Sequence, residues 1–266
     1  MLGAFFGDIV GSRFEHNNIK TKDFPLFDDS CRFTDDTVLT AAVAVALLDR
    51  DPNEGIEGFK RLLVGTLHQI GVIYPHAGYG GRFCRWLRDG ETEPYGSFGN
   101  GSAMRVSPCG WVANTLEETL TLAEASAAVT HDHPEGIKGA VATAGAIFLA
   151  RTGASKQDIR AFVEHYYALD FTLDSIRTDY EFDVTCQGSV PQALEAFLES
   201  ESFEDTIRLA ISIGGDSDTI AAIAGAVAEA YYGMTEQECS RLRDHLDELL
   251  REVADDFEAI KRPRCR

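Results

Sequence analysis

The stretch SIGGDSDTIAAIAGA, residues 212–226, joins two carboxylates to the start of a helix built of small residues. Two glycines loosen the turn before Asp216 and Asp218, which stand one residue apart, and Ala, Ile and Gly dominate the segment 219–230. A helix with so little polarity on any face is typical of a bundle interior, where small residues allow neighbouring helices to approach closely. One aspartate is enough to cap a helix, so the pair indicates a further role.

Helical periodicity extends over most of the chain. Two more helices of small residues are predicted at 37–48 and 136–150, and apolar residues at helical spacing predict helices at 116–127, 203–211 and 239–253. Alternating apolar and polar runs are scarce, and no linker or repeat divides the chain. We therefore predict an all-α protein, a compact multi-helix bundle that forms one domain over residues 1–266. Glycine and aromatic residues between 71 and 110 predict loops and short helices.

Composition limits the function classes. The formal net charge of −19 on 266 residues disfavours binding to nucleic acid or to an anionic membrane. Six scattered cysteines, including Cys265, form no close pair, which argues against a zinc or redox motif and against a disulfide framework. The opening MLGAFFGDIVGSRFE lacks the basic region of a signal peptide, and the longest apolar runs are too short to cross a bilayer. A soluble, cytoplasmic protein is predicted, and a monomer is favoured.

A second acidic helix start lies at RFTDDTVLTAAVA, residues 32–44, where Thr34, Asp35 and Asp36 precede another helix of small residues. Two independent helix caps would explain both clusters. If the clusters instead meet, the carboxylates repel one another unless one takes up a proton or a cation lies between them. Oxygen ligands without Cys or His select Mg²⁺ or Mn²⁺, and two such ions can share carboxylates, activate water and bind substrate oxygens.

Two acidic residues near the start of the chain are further candidates. Asp8 lies among apolar residues, which predicts a half-buried and partnered carboxylate that supports the site. Glu15 follows seven positions later, so on one helix the two would share a face, and Glu15 could reach the site.

Two glycine-rich segments could present backbone N–H groups to phosphates: YGSFGNGSAMRVSP at 95–108 and GYGGR at 78–82. Each alone is also an ordinary turn, but two such loops in an acidic protein indicate a diphosphate ligand. The motif THDHPE at 130–135 places His131 and His133 at a predicted helix boundary. A metal-binding histidine pair and a helix-start loop whose histidine bonds a ligand or the backbone are both consistent with that motif.

Five motifs in this order, GDxxGSxxE, FTDDT, GSFGNGSAMR, THDHPE and GGDSDT, resemble the ADP-ribosylglycohydrolase family. The resemblance extends from Gly3 to about Tyr232. It implies an all-α fold in which two metal ions, Mg²⁺ or Mn²⁺, lie in a cleft that binds ADP-ribose. The implied partner is an ADP-ribosylated protein or an ADP-ribose derivative.

The resemblance also assigns residues. The implied metal ligands are Thr34, Asp35, Asp36, Asp216, Asp218 and Thr219. The implied substrate-binding residues are Gly78, Gly80, Gly81, Gly96, Ser97, Phe98, Gly99, Asn100, Gly101 and His131. Phe98 matches the position where an aromatic ring stacks on adenine. The carboxylate that moves a proton is Asp35, Asp36 or Glu15.

The resemblance implies a metal-dependent hydrolase that cleaves the bond at C1″ of the distal ribose. Arginine-, serine- or nucleic-acid-linked ADP-ribose and free esters such as O-acetyl-ADP-ribose would all use the same ribose contacts, although the acidic composition disfavours nucleic acid. One alternative is a catalytically silent ADP-ribose-binding or crystallin-like structural protein on the same fold. Another is a Mg²⁺-dependent phosphohydrolase of a different fold.

Overall fold

The structure, a computed structural model, describes residues 1–264. Among these residues it contains α-helices, one 3₁₀ turn at Pro52–Glu54 and no strand; one isolated bridge pairs Gly99 with Thr185. The helices are α1 Leu2–Gly11, α2 Asp35–Leu48, α3 Gly55–Ile73, α4 Gly81–Asp89, α5 Gly101–Met104, α6 Ser107–Val112, α7 Leu116–Ala128, α8 Pro134–Arg151, α9 Lys156–Val163, α10 Leu173–Ile176, α11 Cys186–Glu199, α12 Phe203–Ser212, α13 Ser217–Tyr232, α14 Glu236–Asp244 and α15 Glu248–Ile260. The all-α prediction is confirmed.

The helix of small residues predicted at 219–230 lies in α13, whose residues from Ser217 to Ala230 are all buried. Helix α1 packs directly against it through glycines at every fourth position. A Cβ atom at Gly7 would lie 2.1 Å from the carbonyl oxygen of Ala221, and one at Gly11 would lie 2.5 Å from the Cα of Asp218. Glycine therefore allows the end of α1 to contact the backbone of α13 at its acidic start.

The other helices of small residues also lie inside the bundle. The segment predicted at 37–48 forms α2, and the one predicted at 136–150 forms α8; both are buried along most of their length. Helix α2 packs on α1, α3, α6 and α15, whereas α8 packs on α7, α11 and α13. The starts of α2 and α13 consequently lie together near the end of α1, where the acidic residues are.

Two local predictions are wrong. The pattern at 239–253 suggested one helix, but the structure has α14 and α15, because the Asp247 side chain accepts a 3.0 Å hydrogen bond from the Leu250 N–H and starts a new helix. Buried Leu246 lies in the connecting turn and keeps the apolar spacing continuous across the break. Helix α1 ends at Gly11, so Glu15 lies in the following turn and not on a helix with Asp8.

No helix within residues 1–264 has the length and apolar character needed to cross a membrane. The five cysteines in that range are free, and Cys265 lies outside the described residues.

Candidate functional site

The two acidic helix starts meet. The Thr219 hydroxyl of α13 donates a 3.1 Å hydrogen bond to Asp36 Oδ2 of α2. Carboxylate oxygens of Asp8, Asp36 and Asp218 lie within 4.8 Å of one another, and the same limit holds for a second group, Glu15, Asp216 and Asp218. Because Asp218 belongs to both groups, the two form one continuous carboxylate cluster.

These residues are not independent helix caps. Neither Thr34 before α2 nor Asp216 before α13 makes a side-chain capping hydrogen bond. Ordinary caps occur elsewhere in the chain; Thr115, for example, accepts a 3.1 Å bond from the Glu118 N–H at the start of α7. The capping alternative is therefore wrong for the two acidic clusters.

Asp8 supplies the cap that α2 lacks. Its fully buried carboxylate accepts hydrogen bonds from the N–H and hydroxyl of Thr34, at 2.9 and 2.7 Å, and from the N–H and hydroxyl of Thr37, at 3.0 and 2.5 Å. Both oxygens of Asp8 are thus engaged by α2. The carboxylate holds the start of α2 in position and orients Thr34, as expected for a supporting residue.

The electrostatics of the cluster favour a bound cation. Burial raises the pKa values of Asp35, Asp36 and Asp218 well above the ordinary value, and neighbouring carboxylates raise them further. Burial also raises the pKa of Asp216 and, at the pocket edge, of Glu15. Buried carboxylates of this kind take up protons or bind cations.

One carboxylate oxygen of the cluster also favours a bound cation. Asp36 Oδ1 is buried and accepts no hydrogen bond from any residue in the described range. A buried carboxylate oxygen without a partner is costly, and a divalent cation would provide one. The donors around it are carboxylates and hydroxyls, the ligands that hard cations prefer. The residues present therefore fit a metal such as Mg²⁺ or Mn²⁺.

The cluster opens into a pocket of about 370 Å³. Most residues proposed for catalysis, metal binding or substrate binding lie on its wall: Glu15, Asp35, Asp36, Gly78, Gly80, Gly81, Ser97, Phe98, Gly99, Asn100, Gly101, His131, Asp216, Asp218 and Thr219. Two are not part of the wall. Thr34 is buried between Asp8 and Asp36, whereas Gly96 is exposed and donates its N–H to Asp132 Oδ1 at 2.6 Å.

The glycine loop at 96–101 is fixed to the acidic cluster by Asn100. Its side-chain N–H group donates to Asp216 Oδ2 at 2.7 Å and to Ser189 Oγ at 3.0 Å, and its backbone N–H donates to the Val184 carbonyl at 2.8 Å. Asn100 is buried. Its amide therefore connects the proposed substrate loop to a proposed metal ligand.

The two histidines of the motif THDHPE lie in different surroundings. His133 caps the start of α8, where its Nδ1 accepts a 3.1 Å bond from the Glu135 N–H, while His131 is buried on the pocket wall. Neither belongs to a metal-holding group within residues 1–264. Phe98 is 44% exposed beside His133, with 5.2 Å between the ring centroids, so it lies at the pocket edge and not in the core.

Several residues on or beside the pocket were not recognised from the sequence. Arg82 follows the first glycine loop and lies 4.9 Å from the centroid of the Tyr95 ring; its position after Gly80 and Gly81 was a signal for an anion site. Buried Arg105 and exposed Phe182 also line the pocket. Arg105 ends the motif GSFGNGSAMR but was given no role, and no local sequence pattern marks Phe182.

Comparisons with known proteins find one family match and several relatives. A sequence model of the ADP-ribosylglycohydrolase family matches residues 1–265. ADP-ribosylhydrolase ARH3 of Mus musculus is 26% identical over 88% of this chain and 83% of its own length. ADP-ribosylarginine hydrolase Tri1 of Pseudomonas putida is 26% identical over 88% of this chain and 70% of its own length. An uncharacterized protein of Archaeoglobus fulgidus is 31% identical over 96% and 93%.

A solved structure of an ADP-ribosylglycohydrolase-related protein complex has the same fold. It aligns with 97% of this chain and 96% of its own at a TM-score of 0.65 and 24% identity.

Proposed function

The chain belongs to the ADP-ribosylglycohydrolase family, and from this premise we propose that it is a metal-dependent hydrolase that cleaves the bond at C1″ of ADP-ribosylated side chains or ADP-ribose derivatives. Membership supports hydrolysis of ADP-ribose linkages. The observation that carries the metal-dependent form is the buried Asp36 Oδ1, which has no hydrogen-bond partner within residues 1–264 and lies in a carboxylate cluster that opens into the pocket. We also treat residues 1–266 as one domain, since the family match covers nearly all of them.

Substrate recognition is assigned to the two glycine loops. Helix α4 begins at Gly81 on the pocket wall, where its first N–H groups can donate to one phosphate. Gly99 and Gly101 also line the pocket, and Phe98 at the edge offers a ring for adenine. Arg82 adds positive charge where the protein as a whole is strongly negative.

Six residues would hold two Mg²⁺ or Mn²⁺ ions: Thr34, Asp35, Asp36, Asp216, Asp218 and Thr219. When bound, such ions would orient the ribose hydroxyls and lower the pKa of the attacking water. The Thr34 hydroxyl donates to Asp8 Oδ1 at 2.7 Å, which leaves its lone pairs available on the side of Asp36 and Asp218, whose Oδ2 atoms are both 3.5 Å away. Asp8 thereby orients Thr34 as a metal ligand, and Asp8 itself is not assigned as a ligand.

Proton transfer is assigned to the carboxylates nearest the substrate space. Glu15 and Asp35 are only partly buried on the pocket wall, whereas Asp36 lies deeper and accepts a hydrogen bond from Thr219. A carboxylate oxygen of Glu15 or Asp35 can accept a proton from the attacking water or donate one to the leaving group. Asp36 is better suited to metal binding.

The experiment that tests this function is a substrate panel. Peptides carrying arginine-linked or serine-linked ADP-ribose, together with O-acetyl-ADP-ribose, are incubated with the protein in Mg²⁺, Mn²⁺ or EDTA. We expect ADP-ribose release from at least one substrate with metal, and none in EDTA. Binding of ADP-ribose without hydrolysis of any substrate would favour the silent alternative. Phosphate release from phosphomonoesters without ADP-ribose release would contradict the proposal.

A further inference from the structure

Arg105 is a fully buried cation beside the pocket. Its Nη2 donates 2.8 Å hydrogen bonds to the Ser126 carbonyl and to the Thr130 hydroxyl oxygen, whereas Nε and Nη1 have no hydrogen-bond partner within residues 1–264. Burial lowers its pKa to about 10, so the guanidinium stays charged at neutral pH. It forms no ion pair with a carboxylate of the described chain, which is unusual for a buried arginine.

The Thr130 hydroxyl connects Arg105 to His131. Thr130 Oγ1 lies 2.8 Å from Arg105 Nη2 and 2.7 Å from His131 Nδ1. Arginine can only donate, so Oγ1 accepts from it and has one proton of its own to donate. If Nδ1 also carried a proton, the hydroxyl proton of fully buried Thr130 would have no acceptor among residues 1–264. The satisfied arrangement has Thr130 donating to Nδ1, which leaves the His131 proton on Nε2.

His131 Nε2 is directed toward the glycine loop. A Cβ atom at Gly101 would lie 3.3 Å from it, and one at Gly99 would lie 3.7 Å away. The only hydrogen bond found for the His131 ring among the described residues is the one at Nδ1. Burial lowers the His131 pKa well below the ordinary value, and the Arg105 charge lowers it further. The ring is therefore neutral, with one N–H donor on the pocket wall.

We infer that Arg105 and Thr130 are positioning residues that fix His131 as a neutral Nε2–H donor to an oxygen of the bound ligand. The identity of that ligand, ADP-ribose, rests on the proposed function, but the inferred tautomer does not. Arginine suits the start of this series of hydrogen bonds because its guanidinium can only donate. Thr130 must therefore accept from Arg105 and donate to His131 Nδ1. Neither residue contacts the carboxylate cluster through a hydrogen bond in the described chain.

The tautomer is measured directly in ligand-free protein labelled with ¹⁵N-histidine, using two-bond ¹H–¹⁵N correlations. Signals of His131 are assigned by their loss in His131→Gln. We expect the Nε2–H tautomer in the wild type and in Thr130→Ser, which keeps the hydroxyl. In Thr130→Val and Arg105→Met we expect a mixture of tautomers. An Nδ1–H tautomer in the wild type, or an unchanged tautomer in both Thr130→Val and Arg105→Met, would overturn the inference.

The consequence for binding is measured by calorimetric titration of ADP-ribose into folded variants. His131→Gln places an amide N–H near the position of Nε2, whereas His131→Asn places it near Nδ1. We expect Gln to stay within about threefold of the wild-type Kd, and Asn and Thr130→Val to weaken binding about tenfold, the size of one hydrogen bond. Equal Kd values for the Gln and Asn variants would contradict the donor role. If the wild type itself does not bind ADP-ribose, the proposed function fails, while the tautomer is still judged by NMR alone.

Discussion

Asn18 pairs with Gly215 through both ends of its side-chain amide, although the two residues are 197 positions apart. The Gly215 N–H donates to Asn18 Oδ1 at 2.7 Å, and Asn18 Nδ2 donates to the Gly215 carbonyl at 2.9 Å. The same Nδ2 group also lies 3.1 Å from the Glu15 carbonyl. Gly214 and Gly215 both have positive φ, of 70° and 76°, which favours glycine at this turn. Asn18 thus connects the segment carrying Glu15 to the turn that places Asp216.

Replacement of Asn18 should weaken metal binding without unfolding the protein. Asn18→Ala removes both bonds to Gly215, and the turn before Asp216 loses its fixed geometry. We expect the midpoint of a Mn²⁺ titration to rise about tenfold, as is typical when the support of a metal ligand is lost. Neighbouring Asn17 is exposed and serves as the matched control, since Asn17→Ala should titrate as the wild type does. Equal midpoints for the two variants would remove the proposed role of Asn18.

Metal should stabilise the fold, and most strongly at neutral or alkaline pH. The cluster carboxylates have pKa values raised above the unfolded value of 3.8, so the folded, metal-free protein binds more protons than the unfolded chain. Stability in EDTA should consequently fall as pH rises above about 4. Divalent metal at one hundred times its Kd adds about 2.7 kcal/mol, a rise in Tm of roughly 5–10 °C. Melting curves at pH 5 and pH 8, with EDTA and with Mg²⁺ or Mn²⁺, measure both effects.

The control for that experiment removes one charge from the cluster. In EDTA at pH 8, Asp218→Asn should melt above the wild type because it relieves repulsion, and added metal should shift its Tm less. If the wild type and Asp218→Asn respond identically to metal, the cluster does not bind it.

The sequence predicted the cluster because its acids lie in short motifs at two helix starts, where local pattern and chemistry coincide. It did not predict that Asp8 caps α2 from another helix, that Asn18 fixes Gly215, or that Arg105 acts beside His131. Each of these depends on contacts between distant segments, which periodicity does not encode. The break between α14 and α15 was missed for the opposite reason, since its cause is local. Buried Leu246 continued the apolar pattern, whereas the helix cap at Asp247 leaves no mark on hydrophobic periodicity.

Phe98→Ala should weaken ADP-ribose binding more than it lowers stability. The ring is 44% exposed at the pocket edge, so little core packing is lost. Stacking of a base on an aromatic side chain contributes roughly 1–3 kcal/mol, which corresponds to a rise in Kd of about five- to 150-fold. Calorimetric titration of ADP-ribose measures this change. Ile260→Ala, a truncation of another exposed apolar side chain at the end of α15, should leave the Kd unchanged. An unaltered Kd in Phe98→Ala would exclude stacking on this ring.

Asp218→Asn should separate metal binding from helix structure. Asp218 Oδ1 accepts a 3.0 Å bond from the Thr219 N–H, and an asparagine oxygen can accept it equally well, so the start of α13 should be preserved. Asp218 belongs to both three-residue groups of the carboxylate cluster, so the variant removes one negative charge from each group. We expect normal helicity by circular dichroism and at least a hundredfold loss of ADP-ribosyl hydrolysis, the size of effect seen when an electrostatic group at a reaction centre is removed. Excess Mg²⁺ should not restore the rate, because the missing ligand is anionic.

Asp158→Asn, which alters an exposed acid at the start of α9, is the matched control and should keep full activity. A near-normal rate for Asp218→Asn, with the wild-type dependence on metal, would show that the cluster does not hold the catalytic metal.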